Sequence, residues 1–291
     1  MGWQQKAMNL LNSSFLKQPF HILTVTLLSL LLPLSFLLLS RISCANFYYL
    51  LTLSTTNSSP PLESSTNLCD FCSSLFLYST PFLLYILVSI VSIAALIHAL
   101  TGKVTIIVEP PSPIFRPRLY AAWIFLCTLQ VCVGLGIEES IATGIDGSSL
   151  RSLDKCNLLS RVVFFFGLHE TMLHWCRVVV KPVVDDTVFG GAREEMWVER
   201  GVMAASFGWL WWWRLRDEIE SLVVVTMAKK ELSMNIGVTD FVGWWLYYVT
   251  VTIGMVRVVK GFIWLAVVSC RRRRGRNNVT THSFGDPEDK V

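Results

Sequence analysis

Between Phe20 and Ser40 the chain carries no Asp, Glu, Lys or Arg and is dense in leucine. At 1.5 Å per residue, about 20 residues cross a hydrocarbon core of about 30 Å. Leu75–Leu100 and Leu119–Ile137 are further runs of this kind. Inside lipid every backbone N–H and C=O must be paired within the segment, so runs this long must be helices. Composition agrees: 53% of residues are apolar and 16% charged, against about 25% charged in soluble domains. Disordered, collagen-like and coiled-coil chains are excluded, and a soluble globular enzyme is a poor fit. The net charge of +4 is outweighed by Arg271, Arg272, Arg273, Arg274 and Arg276 alone. The basic character is therefore one patch beside an apolar segment, which suits anionic headgroups of the bilayer rather than nucleic acid.

The expected organisation has five parts. Residues 1–19 form a cytoplasmic amphipathic N-terminus, with Trp3, Ala7, Leu10, Leu11 and Phe15 at helical spacing. Residues 20–137 hold three apolar spans, the first two separated by a polar lumenal loop at 41–74. Residues 138–160 form a second lumenal loop, with Gly144, Asp146, Gly147 and Ser148 as turn formers. Residues 161–270 hold three charge-containing spans, near 162–184, 201–228 and 236–269. Residues 271–291 are a basic, disordered tail. A cleaved signal peptide is the rival reading of the first span, because Ser43-Cys44-Ala45 loosely resembles a cleavage site. The run exceeds the usual h-region of about 7–15 residues, so a retained anchor is expected. The fold class is an all-α polytopic transmembrane bundle of about six spans, with five to seven open. The fifth is the least defined, because Arg214, Arg216, Asp217, Glu218 and Glu220 interrupt it after the cluster Trp209, Trp211, Trp212 and Trp213.

Lysine and arginine in the early loops and at the C-terminus favour both ends in the cytoplasm, which requires an even span count. Cys44, Cys69, Cys72 and Cys156 then face an oxidising side and are candidate disulfide partners. Asn57 heads a glycosylation sequon on that same side, whereas Asn12 and Asn278 would stay unmodified in the cytoplasm. Cys270, beside Arg271, is a palmitoylation candidate.

The fourth span carries His169-Glu170-Thr171-Met172-Leu173-His174-Trp175-Cys176-Arg177. Glu170, His174, Arg177, Lys181 and Asp185 fall within an arc of about 80° on an ideal helix. A charge at mid-bilayer costs about 2.5–3.5 kcal/mol, so this stripe is expected to face the bundle interior. Its candidate partners are Arg214, Asp217, Glu218, Glu220, Asp240, Arg257 and Lys260.

Three functions compete for the stripe. It could be buried structural or regulatory glue, the first choice. It could line a path for a proton, ion or small charged solute in a transporter or channel, the alternative. It could form an intramembrane metal site, but His169 and His174 are five residues apart, about 140° around a helix, and not the four that zinc hydrolases use. No metal, cofactor or catalytic residue is therefore expected. The stretch from His169 to Gly190 resembles a family of uncharacterised polytopic plant membrane proteins, which implies a multi-span fold and brings no activity. The expectation is a non-enzymatic integral protein of the endoplasmic reticulum, another endomembrane or the plasma membrane, with no nucleic-acid partner and a homo-oligomer left open.

Overall fold

A computed structural model describes residues 14–55, 68–102, 116–142, 158–185, 187, 197–233 and 236–280, with side chains over a slightly narrower set. All elements among them are helical: α1 (Ser14–Ser29), α2 (Leu31–Thr55), α3 (Leu68–Thr101), α4 (Arg116–Ala142), α5 (Leu158–Trp175), α6 (Lys181–Val184), α7 (Trp197–Leu210), α8 (Arg216–Glu218), α9 (Ser221–Glu231) and α10 (Val238–Thr280). Four stretches, Gln18–Thr52, Phe82–Thr101, Leu119–Ala142 and Val238–Arg272, are long and apolar enough to cross a membrane. The chain is a helical membrane protein. The segments expected as fourth and fifth spans are helical too, but each contains a π turn, at Cys176–Val180 and at Trp211–Leu215.

The break between α1 and α2 has a local cause. Pro33 offers no N–H to the Ser29 carbonyl and its ring crowds that oxygen, so the helix loosens at Leu30. Bonds from Leu30 N to Thr26 O and from Leu34 N to Leu30 O, both 3.0 Å, carry the rod through.

Contacts along the rods fix their directions. Trp175 Nε1 donates to Leu28 O at 3.1 Å, and Phe164 lies edge-on to Phe36, so α5 runs against α1 and α2. Phe165 stacks on Phe207, and Arg161 pairs with Glu220, so α7–α9 also run against α5. Phe164 stacks on Tyr247, and Glu170 meets Arg257, so α10 runs with α5. Gly243 lies beside Tyr85 and Lys260 reaches Ala99, so α3 runs with α10. Leu38 covers Gly136 and Arg41 reaches Ser140, so α4 runs with α2. Among the described residues, six helical passes thus alternate in direction. Their shared core includes Phe36, Phe164, Leu168, Met172, Phe207 and Leu246.

Two sequence expectations are corrected. The loop expected at 41–74 is helical at both ends: α2 continues to Thr55 and α3 begins at Leu68. Arg41 is not a loop residue but is buried in α2, because an acid from far along the chain neutralises it. The tail expected to be disordered from 271 instead continues α10 as helix to Thr280. From Val259 to Arg272 every residue of α10 is exposed, Phe262 and Trp264 included. Phe262 to Val268 is apolar on every side, a surface suited to lipid or to a protein partner.

Candidate functional site

Beyond the local Arg214–Glu218 pair that the i,i+4 spacing predicts, the charges gather into groups drawn from distant parts of the chain. Arg41 donates from Nε and Nη2 to the two carboxylate oxygens of Glu218, at 2.5 and 2.6 Å. Its Nη1 donates to Ser140 Oγ at 2.7 Å. Arg214 adds a longer bond to Glu218, 3.4 Å. Ser40 and Ser221 both donate to the Glu218 carbonyl. One arginine thereby ties together α2, α4 and α8. Beside it, Arg161 of α5 grips both oxygens of Glu220.

A second buried pair closes the turn between α9 and α10. Lys229 Nζ lies 2.8 Å from each oxygen of Asp240, and the lysine is 1% exposed. Asp240 Oδ2 also accepts from Gly237 N at 3.1 Å, satisfying a backbone donor at the start of α10. Toward the other end of the bundle, His21 Nε2 lies 2.6 Å from Asp185 Oδ1, both buried. His21 and Arg41 are 20 residues apart on the α1–α2 rod, about 30 Å of helix.

The expected single stripe does not survive intact. His174 and Asp185 are buried, Glu170 and Lys181 are half-buried, and Arg177 is exposed. A π turn at Cys176–Val180 falls within the stripe. A π turn adds about one residue to a helical turn, so everything after it lags by about 100°. On that count Lys181 swings to about 80° from Glu170, while Asp185 moves to its other side, about 40° away. Asp185 goes to His21 instead of to a cation on the charged spans.

Of the candidate partners, Arg214, Glu218, Glu220 and Asp240 join the groups above. Asp217 meets Arg216 at 3.4 Å, and the Arg216 guanidinium sits 4.8 Å from the Trp212 ring centre. Arg257 Nε lies 3.4 Å from Glu170 Oε2, and Lys260 donates to Ala99 O. These last two line a pocket of about 130 Å³ with His98, Ala99, Gly102 and Glu170. Behind it the rings of His98 and His174 lie 5.2 Å apart. Cys44 is buried in α2, and Cys270 is exposed on α10 with Arg271 and Arg272. Cys69 and Cys72 lie in the first turns of α3, but their side chains, and those of Arg273 and Arg274, are outside the described set. Asn57 and Cys156 lie outside the described residues altogether. No cluster of three His, Cys, Asp or Glu side chains suited to a metal ion occurs among the described residues.

Sequence reasoning passed over Arg41, Lys229, His21 and His98 as site members. A signal existed for Arg41, which stands in an apolar context only one residue past a charge-free run. The acid that explains it is 177 positions away. No protein family, curated protein or solved structure matches this chain.

Proposed function

We propose that this protein is a six-crossing, non-enzymatic membrane protein of structural or regulatory role, whose buried ion pairs set the register of its charge-bearing helices. The observation that carries the reading is the bidentate Arg41–Glu218 pair with its Ser140 and Arg214 contacts. Such a pair gives modest net stability, because desolvation offsets most of the attraction. It does make any other register costly, since a slipped helix would strand a charge in a dry interior. A solute path would instead need charges left open to water or cargo, and the guanidinium here is already committed to partners on three sides.

A transporter or channel is the second reading, favoured by the pocket at Glu170, Arg257 and Lys260. Flux of protons, ions or small charged solutes into proteoliposomes separates the two. The structural reading expects no flux above empty vesicles, and Glu170→Gln and Lys181→Ala variants that fold like the parent and likewise carry no flux. Flux that Glu170→Gln abolishes would establish transport. The alternating passes and the basic end of α10 favour both termini in the cytoplasm.

A further inference from the structure

The pocket between α3, α5 and α10 stands apart from the buried pairs that fix helix register. We infer that it binds the phosphate of an anionic phospholipid. This goes beyond the structural reading, and it holds or fails independently of it.

Charge and donor supply come first. Arg257 and Lys260 outnumber the one acid, Glu170, in the lining. Arg257 has five N–H donors and uses Nε toward Glu170, while 58% of its side chain is exposed. Lys260 is exposed as well and directs one of three N–H donors to the Ala99 carbonyl. A helix C-terminus normally repels an anion, but here that lysine covers it. Both side chains line the pocket with donors beyond these two contacts, and a phosphate offers several acceptor oxygens to a guanidinium fork and an ammonium.

Shape and surroundings select a lipid over a free anion. Gly102, at φ 66°, ends α3 at the pocket, while α10 continues past it as exposed helix. Among the described residues, the pocket is thus a step in the side of the bundle. Ile93, Ile97 and Leu100 of α3 are exposed along one face leading to it, and Met255 and Val259 are exposed on α10. A headgroup phosphate in the step would lay its acyl chains along these side chains. Basic pockets between membrane helices bind headgroups in this way.

The test uses the full-length chain in mild detergent, with retention read by native mass spectrometry against phosphatidic acid, phosphatidylcholine and inorganic phosphate. Phosphatidic acid should be retained over phosphatidylcholine, and equimolar inorganic phosphate should not displace it. The R257Q/K260Q variant should weaken retention about thirtyfold, the effect of two basic residues at an anionic headgroup. Glu170→Gln should strengthen it by releasing Arg257, and this arm keeps the test decisive if the double variant folds poorly. R271Q/R272Q, on the exposed end of α10, should leave it within about twofold. Unchanged retention in R257Q/K260Q, weakening in Glu170→Gln, an equal loss in R271Q/R272Q, or displacement by inorganic phosphate would each overturn the assignment.

Discussion

Gly167 of α5 and Gly254 of α10 face each other so closely that neither position has room for a methyl group. A Cβ on Gly167 would sit 1.9 Å from the Thr250 carbonyl oxygen, and one on Gly254 would sit 1.9 Å from that of Val163. The contact brings two backbones together, as small residues do between membrane helices. Thr171 and Thr250, four residues along on each side, turn their hydroxyls back onto their own helices, to Gly167 O and Leu246 O. Gly167→Ala or Gly254→Ala should therefore separate the helices and cost about 1–3 kcal/mol or more. Gly134 and Gly208 have open space at the same position, so their alanine variants should be near neutral. Thermal unfolding in detergent reads all four, and equal effects would refute the close approach.

The π turn at Cys176–Val180 sets the phase that delivers Asp185 to His21. Deleting Val179 should tighten the turn to an α-helix and swing Asp185 by about 100°. The loss should match that of breaking a buried pair, about 3–5 kcal/mol. The same measurement on a deletion variant with unchanged melting would show that the turn does not hold this register.

Much of the architecture was legible because charge-free runs of about 20 residues have only one solution in lipid. What escaped was non-local or aperiodic. Ser40-Arg41 reads locally as the end of a span, and only Glu218, folded back against it, makes the arginine a core residue. The stripe from Glu170 to Asp185 was drawn on an ideal helix, and nothing in its spacing announces an extra residue in one turn. The glycine contact was readable in principle: Gly167 and Thr171, and Thr250 and Gly254, are both small residues four apart.

Glu199, in the first turn of α7, is 3% exposed, and its Oε1 has no hydrogen-bond partner among the described residues. A buried carboxylate oxygen without a donor is a local cost of about 1–3 kcal/mol. Glu199→Met, which fills similar space without the polar atoms, should raise the melting temperature in detergent. A lower melting temperature would mean that the carboxylate holds something this account omits.

Alternating directions place the start of α1 and the exit of α10 at the same end of the bundle. Glycan mapping after expression in a secretory host should find sugar on Asn57 and none on Asn12 or Asn278. Sugar on either of the latter would reverse the expected orientation.

The structural role of the buried charges is tested most directly by a double-mutant cycle on Arg41 and Glu218, read by unfolding of the full chain in detergent. Arg41→Met alone should cost about 3–5 kcal/mol, because it leaves Glu218 buried with only the longer Arg214 contact. Arg41→Met combined with Glu218→Leu should recover most of that loss. Additive losses, or an Arg41→Met variant as stable as the parent, would contradict the claim that this pair locks the helices in register.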